Sequence, residues 1–265
     1  MQTLTYEALK INKDNQTSIE DVLVVEAALQ ININKEPYTV VMRTPDNDIE
    51  LIRGLLFAED IYKNSINFKN EIDKEDNGIP SIINITISKE LLGKGYLNKR
   101  TLLSVSSCGI CGKKELKDIE LSGDKLSSKP ILSSAIIHKM FIEMYTHQET
   151  FKSTGGSHAA AIFNKKNELL TLKEDIGRHN AVDKTVGYLL QKNALKSANY
   201  LLVSGRVSYE IVSKAFIAKI PIIIAVSGCS SLAVDFAKEF GICLIGFTRE
   251  NKMTIYANPS YIKNN

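Results

Sequence analysis

Along this chain the apolar residues change period, and the changes mark out the elements. Tyr38–Arg43 alternates as a strand and is closed by Thr44-Pro45. Ile49, Ile52, Leu55 and Leu56 then recur at helical spacing. The polar Lys69–Gly78 stretch predicts a loop or hairpin connection, and the β-branched run Pro80–Ile87 a strand. Another strand is expected over Thr101–Ser107, ending at the sharp turn Cys108-Gly109-Ile110-Cys111-Gly112. Ser122–Pro130, rich in serine and lysine, reads as a linker.

Beyond that linker the pattern repeats strand, loop and helix. A helix capped by Ser133 or Ser134 carries Ile136, Ile137, Met140, Phe141, Met144 and Tyr145 on one face. Strands at His158–Phe163 and Leu169–Lys173 flank the polar Asn164–Asn167 turn. Helix His179–Gln191, strand Tyr200–Val203, helix Tyr209–Ala218 and strand Ile222–Val226 follow, then helix Leu232–Phe240 and strand Ile242–Phe247. Such alternation predicts an α/β fold, a sheet with helices packed on both faces. It stands behind a smaller α+β subdomain, with units over residues 1–121 and 122–265.

Composition narrows the class. A chain of 265 residues that is 44% hydrophobic and 24% charged can bury a sizeable core. The net charge of +3, the absence of Trp and the lack of aromatics interleaved with Lys/Arg argue against a nucleic-acid partner. The first residues lack the apolar core of a signal peptide, and no apolar run approaches the ~20 residues that span a bilayer. Four cysteines without secretory targeting argue against a disulfide framework. The expectation is a cytoplasmic protein off the membrane, its thiols reduced and available for chemistry.

Cys108 and Cys111 are the sharpest chemical signal. The neighbouring glycines permit close approach of large groups, and Lys113 and Lys114 favour thiolate over thiol. One sulfur could attack a donor persulfide, and the other could then displace sulfide. The spacing alone also suits a metal half-site or thiol redox exchange. His147-Gln148-Glu149 allows a zinc-deaminase reading, but its cysteines precede the histidine and Ser107 stands where that motif has proline. A thioredoxin-like reading needs a helix after the first cysteine, and Lys113–Glu120 is weakly amphipathic. Cys229 and Cys243, in small or apolar surroundings, are expected to be packed thiols.

A second signal is spread over several loops at strand ends. These are Thr154-Gly155-Gly156-Ser157-His158, Glu174-Asp175-Ile176-Gly177-Arg178-His179-Asn180, Ser204-Gly205-Arg206 and Ser227-Gly228-Cys229-Ser230. Small residues at helix starts leave amide groups free for phosphate oxygens, and Arg178 and Arg206 add charged forks. In open α/β sheets ligands sit where such loops converge. Together they suggest a ligand with several phosphates.

With these segments in hand, the chain resembles the FdhD/NarQ family of formate dehydrogenase accessory sulfurtransferases. The shared segments are RTP at Arg43–Pro45, SSCGICGK at Ser106–Lys113, TGGSHAA at Thr154–Ala160 and EDIGRHNAVDK at Glu174–Lys184. SGRVSYEIVSKA at Ser204–Ala215, SLAV at Ser231–Val234 and GFTRENKMTIYANP at Gly246–Pro259 continue the series in the family's order. The resemblance implies a three-layer α-β-α domain like that of cytidine deaminases, without their zinc chemistry, and a homodimer. It implies that sulfur passes from a cysteine desulfurase to a molybdenum bis(molybdopterin guanine dinucleotide) cofactor, for a formate dehydrogenase apo-enzyme. Guanosine diphosphate would mimic part of that cofactor. Carried over by position, Cys108 would bear the persulfide with Cys111 as its partner. Phe247, Thr248, Arg249, Glu250, Asn251 and Lys252 would contact the cofactor, beside Gly155, Gly156, His158, Asp175, Gly177, Arg178, His179, Asn180, Ser204, Gly205 and Arg206. An alternative is a non-catalytic cofactor chaperone using the cysteine pair as metal ligands. Two departures stand out: Asp60 replaces a usual glycine, and Ser227–Ser230 replaces a usual Ala-Pro-Thr stretch.

Overall fold

The structure is a computed structural model that describes residues 1–13, 15–97, 123–126, 130–249 and 252–263. Cys108, Cys111, Glu250, Asn251 and the strand expected over Thr101–Ser107 lie outside the described residues. The chain opens with a hairpin of β1 (Thr3–Asn12) and β2 (Asn15–Val24). β3 (Ala27–Ile33), β4 (Glu36–Arg43), helix α1 (Asp48–Ala58), β5 (Lys69–Asp76), β6 (Ile79–Thr86) and the short α2 (Lys94–Leu97) form the small unit. The larger unit runs β7 (Leu132–Ser133), α3 (Ser134–Thr146), α4 (Glu149–Thr154), β8 (His158–Phe163), β9 (Leu169–Asp175) and α5 (Arg178–Gln191). It continues β10 (Tyr200–Val203), α6 (Tyr209–Ile217), β11 (Ile222–Ala225), α7 (Ser231–Phe240), β12 (Cys243–Arg249), β13 (Lys252–Ala257) and β14 (Ile262–Lys263).

In the small unit the four strands lie in the order β4-β3-β6-β5. Leu29, Ile31, Ile33, Ile83 and Ile85 point from one face onto Ile52, Leu55 and Leu56 of α1. Of the Lys69–Gly78 stretch, expected as a loop or hairpin connection, Lys69–Asp76 is an edge strand with every residue exposed, and Asn77-Gly78 is the turn of its hairpin with β6. Its alternation is hidden because neither face is buried, and its charges discourage pairing with another chain. Asp60 adopts φ +58°, a left-handed turn that glycine would take at no steric cost.

The larger unit is built on a six-stranded sheet of order β13-β12-β11-β10-β8-β9. Strands β10, β11 and β12 are parallel, and β8 runs antiparallel to both β10 and β9. Both faces are covered, so the central strands are apolar at every position rather than at alternate ones. On one face Leu201, Val203, Ile223, Ala225 and Leu244 meet α5, α6 and α7. On the other, Tyr200, Leu202, Ile222, Ile224, Cys243 and Ile245 meet Ile137, Met140 and Met144 of α3. The fold is therefore mixed α/β, in layers of helix, sheet and helix.

The units join where α1 lies along α5. Gly54 of α1 and Gly187 of α5 bring the two backbones together: a Cβ on either would overlap a carbonyl oxygen of the other helix, that of Asp183 or Glu50. Nearby, Arg43 is buried and grips both carboxylate oxygens of Asp48, at 2.8 and 3.0 Å. Among the described residues no helix is long and apolar enough to cross a membrane.

Candidate functional site

Because β9 to β12 run the same way, their carboxyl ends share one edge of the sheet. The amino end of β8 lies there too, since that strand is antiparallel. The loops singled out by sequence consequently gather along this edge. Backbone bonds tie them into a row. Phe247 N donates to the Ser227 carbonyl at 3.0 Å, Val207 N to Gly228 at 3.0 Å, and Ser230 N to Val207 at 3.0 Å. Ser204 N donates to the Ala159 carbonyl at 3.0 Å, and Ser204 Oγ accepts from Ala159 N at 2.9 Å. Ser204 therefore helps to fasten the row.

The outward groups are basic or small, apart from Phe247. Gly205 lies beneath them: a Cβ there would come within 3.2 Å of His158 Nδ1 and 3.3 Å of Arg178 Cβ. His158 and Arg178 thus meet across a glycine floor at the start of α5, with Arg206 exposed alongside. Arg178 Nε is buried and has no hydrogen-bond partner among the described residues, and the same holds for Thr248 Oγ1. Gly155 closes α4 at φ +66° with open space around it, and Gly156 abuts Val24 of the hairpin. Phe247 sits at a bulge in β12 with φ +51°, its ring half-exposed over Gly228. A non-glycine residue in that region is strained, a condition that collects at ligand sites. Arg249 and Lys252, both exposed, flank the adjoining strand ends.

Burial, then the charge of Arg178, lowers the His158 pKa below its usual 6.5; Asp175 opposes this and Arg206 adds to it. The unfolded chain then binds more proton in the window between the folded pKa and 6.5. His158 accordingly costs stability as the pH falls through that window, and nothing further below it. A phosphate bound against Arg178 would offset the repulsion and draw a proton onto the ring. Sulfate, which stays a dianion over this range, is expected to bind more tightly as pH is lowered from ~7 to ~5.5, with proton uptake measurable by calorimetry in two buffers, and His158→Gln should remove that uptake.

Other expected site residues are turned inward. Asp175 is 0% exposed and Asn180 donates to it and to the Met42 carbonyl, at 2.9 and 2.8 Å. His179 Nε2 lies 3.1 Å from Glu210 and 3.0 Å from Ser208 Oγ, pinning α5 to the start of α6. Burial chiefly raises the Glu210 pKa, which suits a carboxyl sharing a proton with that imidazole. These residues shape the edge; His158, Arg178, Arg206, Phe247, Arg249 and Lys252 present it. Glu174, which the sequence placed in this loop without a role, has a carboxylate that accepts from the amides of Thr150 and Phe151 and from Ser157 Oγ, all within 2.8 Å. It anchors α4 and the Gly155-Gly156 turn, and only its place beside Asp175 could have hinted at that role.

Two cysteines are described. Cys243 is fully buried, its pKa pushed up to about 12, and half-buried Cys229 is pushed up to about 11, both by burial. Both stay thiols at neutral pH and are poor nucleophiles. His147 is exposed at the end of α3, its Nδ1 2.8 Å from the Glu143 carbonyl oxygen.

The chain matches the FdhD/NarQ family over residues 24–263. It is 40% identical over 264 residues to a protein of Sulfolobus acidocaldarius named sulfur carrier protein FdhD, covering 99% of each chain. A protein of Mycolicibacterium paratuberculosis with the same name is 38% identical, covering 91% of this chain and 92% of that one. A crystal structure from Desulfotalea psychrophila, described as a formate dehydrogenase accessory protein, superposes with a TM-score of 0.76 at 22% identity, over 99% of this chain and all of that one. On that match and those identities, the chain belongs to the FdhD/NarQ family.

Proposed function

We propose that the protein is a sulfur carrier for formate dehydrogenase maturation, loaded by a cysteine desulfurase. The Cys108 thiolate attacks the sulfane sulfur of the desulfurase persulfide. The S–S bond of that persulfide breaks, the desulfurase departs as its thiolate, and Cys108 holds the sulfur with no net oxidation. Attack by Cys111 on the Cys108 sulfur would form a disulfide and release the outer sulfur as hydrosulfide. The sulfur acceptor is a molybdenum bis(molybdopterin guanine dinucleotide) cofactor, whose metal centre takes sulfur as a ligand. Two relatives named as sulfur carriers across nearly the full chain support the carrier role.

The observation that carries the second half is the row of cationic loops. Arg178, His158 and Arg206 gather at the α5 amino terminus, and Arg178 keeps a buried Nε–H unmatched among the described residues. A diphosphate fits this donor set: charged forks and no exposed carboxylate among the six outward side chains. The half-exposed Phe247 ring would give the guanine base an apolar face. A homodimer, a cytoplasmic location and a three-layer α-β-α fold like that of cytidine deaminases for the larger unit complete the reading, the last supported by helices on both faces of its sheet. The test is intact-mass measurement after incubation with desulfurase and cysteine. A gain of about 32 mass units on the purified chain is expected, and failure of any cysteine to load would refute the carrier.

A further inference from the structure

Directly beneath this edge is a polar cluster that burial would forbid unless it were satisfied. Asp175 and Lys184 are each 0% exposed, with Nζ 2.7 Å from Oδ2. Thr44 N also donates to Oδ2, at 3.1 Å, while Gly177 N and Asn180 Nδ2 donate to Oδ1 at 2.8 and 2.9 Å. Lys184 spends its other protons on the carbonyl oxygens of Thr44, at 2.8 Å, and Glu174, at 3.4 Å. The Thr44 hydroxyl in turn accepts from Ile176 N at 3.0 Å. Thr44 belongs to the small unit; every other member lies between 174 and 184.

A buried ion pair is weak evidence for stability, since apolar residues of similar volume often serve as well. Apolar residues could not aim the amides of Ile176 and Gly177. Those are the last two before Arg178, and they set how α5 begins. We propose that Asp175, Lys184 and Thr44 are positioning residues for phosphate binding: they hold the first turn of α5, and with it Arg178, against the small unit that leads into the cysteine segment. This rests on the phosphate-binding reading above.

The test is calorimetric titration of the full chain with guanosine diphosphate, beside melting temperatures. Thr44→Val keeps the shape but removes the acceptor for Ile176 N, and should weaken binding about 3- to 10-fold, the effect of one buried hydrogen bond. Thr44→Ser, which keeps the hydroxyl, should stay within about twofold of wild type. Combined with Arg178→Ala, Thr44→Val should add no further loss, because both act through the same turn. The double variant Asp175→Asn with Lys184→Met, uncharged and similar in size, should show the same weakening and covers the case of a Thr44→Val chain that does not fold. Variants that melt earlier yet bind as wild type would reduce the cluster to scaffolding and overturn the proposal, as would additive losses with Arg178→Ala. If the wild type itself bound no guanosine diphosphate, the phosphate reading would fall and the positioning role with it, a result distinct from either.

Discussion

Cys108→Ala is expected to lower sulfur loading from a desulfurase by roughly 10³-fold or more, as removal of a nucleophile does. The expectation comes from comparing the four cysteines. Two are disqualified by their surroundings: Cys243 is fully buried, and burial pushes Cys229 up to about 11, leaving almost no thiolate at neutral pH. The other two stand among glycines, with Lys113 and Lys114 next to them in sequence, where positive charge favours the thiolate. Cys111→Ala should behave differently, retaining the added sulfur but releasing it slowly, because the thiol that would displace it is gone. Intact-mass spectra over a time course distinguish the two. A cofactor chaperone that used the pair only as metal ligands would take up no sulfur on either cysteine and would keep some maturation activity when both are replaced.

The second large effect is on stability. Lys184→Met should destabilise the fold by about 3–5 kcal/mol, the usual result of stranding one buried charge. At roughly 2–4 °C per kcal/mol for a chain near this size, the melting temperature should fall by roughly 6–20 °C. The reason lies in Asp175, which would keep its amide donors but lose the only cation within contact among the described residues. Adding Asp175→Asn should recover much of the loss, since it removes the stranded charge. Thermal melts of the single and double variants check this, and equal melting of wild type and Lys184→Met would contradict it.

Most of the larger unit could be read from the sequence because its strands are buried on both faces. Ile222–Ala225 is apolar at every position, and the helices between strands keep a clean period. The first residues were harder. β1 and β2 form an isolated ribbon with Leu9 and Ile11 exposed, so no buried face imposes alternation on them, and β5 is masked by its charges. The candidate site divides in the same way. That the loops would converge followed from the strand–helix alternation, but which members face outward did not. Asp175 and Asn180 look like ligand residues in a list of motifs, yet they face the small unit 130 residues or more away along the chain, bonding Thr44 and Met42. Only a partner brought there by the fold could reveal that. Lys184 carried a faint signal, a charge on the buried side of an otherwise well-packed helix.

The central claim is that the carboxyl edge of the large sheet binds a guanine dinucleotide through its phosphates, with Arg178 as the principal fork. Calorimetric titration of guanosine diphosphate into wild type and Arg178→Ala tests it most directly. Saturable binding is predicted, weakened about 10- to 150-fold in the variant, the range for losing a charge-assisted hydrogen bond. Undiminished affinity in Arg178→Ala, or no binding to a folded wild-type chain, would contradict the claim.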